Sequence, residues 1–355
     1  MAMVGDGFAA RLHLDGWRRV HGVTVDVVAS VSSRSGSLDE VLADPAVDIV
    51  DLCVPNHLHA PFARAALAAG KHVVVEKPLT GCFVPRADME PAEMLDRAVA
   101  DADELVAAAE EAGRWCCYAE NWVYAPPIAK ARALVAQAGG TVLRIQGEES
   151  HSGTHSEPNK HWVTAGGGAL LGKGCHPLGA ALHLKAATSP SSVVAHTASL
   201  TKVAPQTHLR TGYEDVEDWG LLVCEFADGT VAEIVGGDTT LGGVRNILRV
   251  YASNVVVEAN LNPNSAVRAY APDGDVLAGA YLSEKLETHA GWSSPSPDED
   301  WMQGYPHEMQ DFAESVLHGR PPLSDARLGR DVLVVIYAAY VSASEGRRVD
   351  VSRYF

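Results

Sequence analysis

The run Val73-Val74-Val75 goes straight into Glu76-Lys77-Pro78-Leu79. Consecutive β-branched residues, apolar on both faces, fit a parallel strand buried between two layers. Proline cannot continue a central strand, so the chain leaves the sheet at Pro78 and sets Glu76 and Lys77 at its carboxyl end. In an open α/β sheet, ligands bind over that edge. A lysine there is either salt-bridged with a solvated head group or a functional cation, because lysine is seldom buried without a partner.

The sequence on either side repeats the pattern. Met1 to Val4 is a short apolar strand, followed by Gly5-Asp6-Gly7-Phe8-Ala9-Ala10. That G-x-G-x-x-A spacing suits a dinucleotide: a tight turn, a close backbone approach to the pyrophosphate, and a helix N-terminus facing it. Val23 to Val31 reads as a strand, Leu38 to Ala43 as a helix, and Val47 to Val54 as a buried strand ending in Pro55-Asn56. Pro61 to Ala69 reads as a helix closed by Gly70, Glu93 to Ala112 as a helix closed by Gly113, and Trp115 to Tyr118 as one more strand. Strands alternating with helices over short connections predict a doubly wound parallel sheet of Rossmann type. After the second strand stand Ser33 and Arg34 rather than an acidic residue. A hydroxyl and a guanidinium suit a 2′-phosphate, so NADP is favoured over NAD.

At 355 residues the chain is too long for one core and suits two domains. Its formal charge of −17, with no basic run, argues against nucleic acid and anionic membranes as partners. No apolar stretch is long enough to span a bilayer. Met1 to Ala10 lacks the basic and apolar blocks of a secretory signal. The six cysteines form no C-x-x-C pair, which disfavours structural zinc and fits reduced thiols in a cytoplasmic protein.

The second half is less regular. Ser192 to Leu200, Trp219 to Phe226, Val231 to Val235, Ile247 to Ala252 and Asn254 to Ala259 read as strands of an open, antiparallel-rich mixed sheet. Glu287 to Tyr305 reads as a long loop, possible lid material, before helices from Pro306 and over Leu328 to Ser344. The domain limits are set at 1–124 and 125–355, with helices from about 306 expected to pack back across the interface.

Gly5-x-Gly7 with His13 downstream, Pro55-Asn56-x-x-His59, Glu76-Lys77-Pro78 and the pair Gly166-Gly167-Gly168, Gly174-Cys175-His176 resemble the Gfo/Idh/MocA family of oxidoreductases over nearly the whole chain. The resemblance implies a nicotinamide dinucleotide held by Gly5, Gly7, Phe8, Ala9, Ser33, Arg34, Pro55, Asn56, His59, Glu76, Lys77 and Asn121. It implies Lys77 and His176 as the catalytic pair, and a homo-oligomer, dimer or tetramer. A fixed ammonium lowers the cost of charge growing on an alcohol oxygen as hydride leaves. A histidine takes the hydroxyl proton.

Two positions depart from the family pattern. The aspartates usual four residues before and three after the histidine are Gly172 and Gly179 here. The helix and strand usual between Arg34 and Leu38 are also missing. Glu120, Tyr124, His151, His155, Trp162 and Lys173 are the further candidates for contact with a polyol or sugar substrate. The stretch Glu148 to His161 could also hold a metal, but an irregular polar loop suits sugar hydroxyls better and no metal is assigned. A redox-assisted glycoside lyase with a recycled cofactor, and a non-catalytic sensor on the same fold, are the alternatives to a dehydrogenase.

Overall fold

The computed structural model describes residues 1–262 and 267–355. Strands β1 (Ala2–Val4), β2 (Ala29–Val31), β3 (Ile49–Leu52), β4 (His72–Glu76) and β5 (Cys116–Ala119) form one sheet, ordered β2-β1-β3-β4-β5. All its pairings are parallel. Val73, Val74 and Val75 are fully buried, as a run apolar on both faces requires. Around the sheet lie α1 (Phe8–Arg18), α2 (Leu38–Ala43), α3 (His59–Ala68) and α4 (Pro91–Ala112). Each end has a local cause. Ser37 and Glu40 make a capping box at α2, and α4 starts with Pro91 and stops at Gly113 in the left-handed conformation.

The second strand is far shorter than the run Val23 to Val31 suggests. It is an edge strand, and its one neighbour, β1, offers only three residues to pair with. Val27 and Val28 are left exposed beside it. Among the described residues no strand lies beyond β2, consistent with the missing segment after Arg34.

The chain then enters α5 (Asn121–Tyr124) and α6 (Pro126–Ala138), β6 (Val142–Ser150), α7 (Trp162–Ala165), a π-helical turn over Leu170–Gly174, and α8 (Cys175–Leu184). Next come β7 (Pro190–Ala198), β8 (Trp219–Phe226), β9 (Val231–Gly237), β10 (Arg245–Ala252) and β11 (Val256–Asn262). With β14 (Val349–Asp350) these make a seven-stranded sheet, ordered β11-β10-β6-β9-β8-β7-β14. Only the β6–β9 pairing is parallel. Alternation of burial along β8, and along β9 up to Gly236, shows one covered face, built on Leu222, Cys224, Phe226, Ala232 and Ile234.

The segment expected as an unbroken loop holds structure of its own. Strand β12 (Ala269–Ala271) pairs with β13 (Gly291–Ser293), and α9 (Glu299–Gln303) is capped by Asp298. Helix α10 (Tyr305–His318) lies on α1, and α11 (Ala326–Glu345) packs against both α4 and β7. The final helix therefore spans the two sheets. No helix among the described residues is long and apolar enough to cross a membrane.

Candidate active site

The carboxyl ends of β1, β3, β4 and β5 lie side by side, so the residues that follow them form one row. At β4, Glu76 Oε2 accepts the Lys77 backbone N–H at 2.7 Å, and Lys77 Nζ donates to Gly172 O at 2.8 Å. The Lys77–Pro78 bond is cis. Half-buried Lys77 stays protonated: burial works against its charge, but the groups around it, Glu149, Glu76 and Glu120 among them, raise its pKa.

Beneath Glu76 runs a buried chain of charge. His13 donates from Nε2 to Glu76 Oε1 at 3.2 Å and from Nδ1 to Asp51 at 3.0 Å. Trp17 Nε1 donates to Asp51 Oδ2 at 2.7 Å. Burial would discharge the imidazole, but Asp51 holds its pKa well above the ordinary value. Burial likewise opposes the Glu76 carboxylate, yet the hydrogen bond and charge of His13 bring it down to about 2. Glu308 of α10 is buried nearby with no hydrogen-bond partner among the described residues. Burial, then Glu76, Glu120 and Asp51, push its carboxyl well up against the pull of His13.

On the facing element, His176 Nδ1 lies 2.7 Å from Glu120 Oε1. Glu120 follows β5, is fully buried, and caps Trp122 N. The imidazole stacks on Trp122 at 6.2 Å, and its Nε2 looks toward Glu149 at 3.8 Å. The glycines at the two departures have separate consequences. A Cβ at Gly179 would stand 2.8 Å from Glu120 Cγ, so its absence makes room for Glu120 beside His176. A Cβ at Gly172 would meet nothing within 4 Å. Further out, Lys173 Nζ pairs with Asp238 at 2.8 Å, and His151 lies 3.5 Å from the same carboxylate. Burial and then the charges of Lys173, Lys285 and Lys77 keep His151 neutral. His155 is exposed at the rim.

A dinucleotide fits the other end of the row. Gly5 has φ 126°, and a Cβ there would fall 2.1 Å from Cys53 O, so the turn needs glycine. A Cβ on Gly7 would meet nothing, and no side chain caps the first turn of α1, leaving the N–H groups around Phe8 and Ala9 free for phosphate. Exposed Ser33 and Arg34 follow β2, with Arg34 donating to Asp6 of the glycine turn at 2.7 Å. Pro55 and Asn56 follow β3, and Asn56 Nδ2 ties that loop to Ala165 O at 2.9 Å.

Several expected site residues are committed elsewhere. His59 is buried with its ring nitrogens 2.7 Å from Pro78 O and 2.9 Å from Val54 O, so it fastens two strand-end loops together and does not face a cofactor. Asn121 Nδ2 donates to Gln303 O at 2.8 Å in the interior. Tyr124 OH donates to Asp311 at 2.9 Å and accepts from Ser324 N in the interior. Trp162 is buried between Tyr337 and Tyr340 of α11 and serves the core, not a sugar face. Tyr337 OH accepts from Cys82 N and donates to Gly166 O, both at 2.6 Å, clasping the loop after Lys77 to the glycine segment. Two sets of donors lie close enough to share an ion, His13–Asp51–Cys53 and Glu120–Cys175–His176. In each, the imidazole already bonds the carboxylate and burial keeps the thiol protonated, so neither requires a cation.

Asp51, Asp238 and Lys285 escaped the sequence reading. For Asp51 a signal existed, a charge inside the buried run Ile49–Leu52. Asp238 and Lys285 gave none, because only the fold brings them to the site.

A parallel dinucleotide-type sheet with a strand-end lysine set against a buried histidine defines a nicotinamide-dependent oxidoreductase acting on CH–OH donors. Comparison with known proteins fixes the family. The oxidoreductase family's NAD-binding Rossmann fold matches residues 1–120, the GFO/IDH/MocA C-terminal domain 128–258, and the oxidoreductase family's C-terminal alpha/beta domain 256–351. This chain belongs to the Gfo/Idh/MocA oxidoreductases. It is similar to D-xylose 1-dehydrogenase (NADP(+)) 2 of Haloferax volcanii, 27% identical over 90% of this chain and 85% of the relative. It is also similar to scyllo-inositol 2-dehydrogenase (NADP(+)) IolW of Bacillus subtilis, 26% identical over 88% and 81%. Among solved structures, GenD2 from gentamicin A biosynthesis in complex with NAD superposes with a TM-score of 0.82 at 28% identity, over 98% of this chain and 95% of that one.

Proposed function

We propose that the protein oxidises a secondary CH–OH group of a sugar, cyclitol or glycoside, with Lys77 stabilising the alkoxide and His176 accepting the hydroxyl proton. One contact carries this reading: His176 Nδ1 is 2.7 Å from Glu120, which fixes the tautomer and leaves Nε2 free. Glu120 thus supplies the carboxylate that the family pattern places elsewhere. Lys77 is tethered to a carbonyl rather than to a carboxylate, so its charge remains available to the oxygen. The bound nicotinamide supplies the hydride acceptor. Residues 1–124 hold the dinucleotide and residues 125–355 shape the substrate pocket.

NADP is the proposed dinucleotide. Arg34, with its side chain 81% exposed, can turn from Asp6 to a 2′-phosphate, and two similar relatives carry NADP in their names. The test is absorbance of reduced nicotinamide with NADP or NAD and a panel of polyols and aldoses. Turnover lost in Lys77→Ala and in His176→Ala supports the roles. Absence of turnover and of dinucleotide binding with every combination rejects them.

A further inference from the structure

We propose that the substrate carries an anionic group, carboxylate or phosphate, remote from the reacting carbon, and that Lys285, Lys173 and Arg210 receive it. This rests on the dehydrogenase reading above and adds the substrate's charge to it.

The chain has 28 Lys and Arg against 45 Asp and Glu, so a local excess of cations is unexpected. Around residues 151–155 cations gather. Lys285 Nζ lies 3.4 Å from Gly153 O, and its ion contact with Glu284 is long, at 3.7 Å. Arg210 packs its stem on Gly153, where an added Cβ would be 2.5 Å from Arg210 Cβ, and its N–H donates to Ser152 O at 2.8 Å. Its guanidinium makes no ion pair among the described residues. Lys173 enters from the π-helical turn, shared with Asp238.

One group registers the field of this cluster. His151 is held neutral by burial and by Lys173, Lys285 and Lys77. Burial raises the carboxyl of Glu284, which weakens it as counter-ion to Lys285. Lys285 also has φ 60°, the one left-handed non-glycine among the described residues, and its side chain is only 12% exposed. Such a conformation is strained and persists where the surroundings impose it, often at ligand clamps. The reacting end has the opposite character, with Glu76, Glu120 and Glu149 around Lys77 and His176. Acids at one end and cations at the other orient a substrate that is neutral where it reacts and negative where it is held. A Cβ at Gly172, next to Lys173 in the chain, would meet nothing within 4 Å.

The test is calorimetric titration of the protein saturated with reduced dinucleotide, so that an alcohol binds without turnover. The probes are glucuronate, glucose 6-phosphate and glucose. At least tenfold tighter binding of either anion than of glucose, weakened by added salt and abolished in Lys285→Met, is the expected result. The tighter anion identifies carboxylate or phosphate. Arg210→Ala, altering an exposed side chain, is the second variant and should reduce the preference severalfold. Equal or weaker binding of the anions, binding of none of the three, or a preference that survives both substitutions overturns the proposal. Turnover with oxidised dinucleotide is read separately. An anion preference without turnover rejects the dehydrogenase reading alone, and turnover without the preference rejects this inference alone.

Discussion

His13 and His176 are both buried imidazoles bonded to carboxylates, yet the two have opposite capacities. His13 has both nitrogens committed, to Asp51 and to Glu76, and is held charged between them. His176 commits one nitrogen to Glu120, and the other makes no hydrogen bond among the described residues, its nearest carboxylate being Glu149 at 3.8 Å. A base needs a free lone pair, so His13 is a fixed cation of the scaffold and His176 the working group. The lesson is that counting carboxylates around a histidine does not find the base; counting its uncommitted nitrogens does.

The comparison breaks most visibly at His176 itself. His176→Ala is expected to lower kcat by about 10²–10⁴-fold, and to lower the urea midpoint as well, because buried Glu120 loses its partner. Retention of the rate would return the proton to another group. His13→Gln should cost about 3–5 kcal/mol because it leaves two buried carboxylates without their shared cation. Chemical denaturation measures this, and a loss under 1 kcal/mol would mean the bridge is dispensable. The two shifts in that bridge also set a pH window. Glu76, lowered from 4.5 to about 2, contributes stability above its unfolded value that is lost as pH falls from 4.5 toward 2. His13, raised from 6.5, contributes stability that is complete below 6.5 and is lost as pH rises through its elevated folded value. Stability from the bridge is therefore greatest between about 4.5 and 6.5, and His13→Gln should flatten both limbs of the profile.

Glu120→Gln sharpens the contrast on the other side. It should reduce kcat about tenfold to a hundredfold. An amide can offer Nδ1 either a donor or an acceptor, so the tautomer is no longer fixed. An unchanged kcat would show that Glu120 is only a packing group.

The row of strand ends was readable because its cause is local: β-branched runs stop at proline or glycine, and Lys77 sits at such a stop. Trp219 to Phe226 and Leu38 to Ala43 were placed to the residue for the same reason. The extent of β2 was not readable, since an edge strand takes its length from its neighbour. Tyr124 and Trp162 were drawn toward the site by proximity in sequence, but Asp311, Ser324, Tyr337 and Tyr340 hold them inside, and all four come from the last fifty residues. Asp238 and Lys285 show the converse, polar groups from distant segments that only folding delivers to the site.

The smallest effect concerns the two glycines that stand where the family pattern has aspartate. They look equivalent in sequence and differ in surroundings. Gly179→Ala places a methyl 2.8 Å from Glu120 Cγ and 3.2 Å from Oε2, so Glu120 must shift and release His176. Its kinetic loss should approach that of Glu120→Gln, with some destabilisation from overpacking. Gly172→Ala adds a methyl that meets nothing, within a helical turn of ordinary backbone. Stability there should stay level or rise by up to about 1 kcal/mol, because alanine restricts the unfolded chain more than glycine does. Melting curves of the two variants, measured side by side, decide the matter. If Gly172→Ala destabilises as much as Gly179→Ala, the space beside the Gly172 Cα is not open; if Gly179→Ala leaves kcat unchanged, Glu120 does not depend on the space that Gly179 leaves.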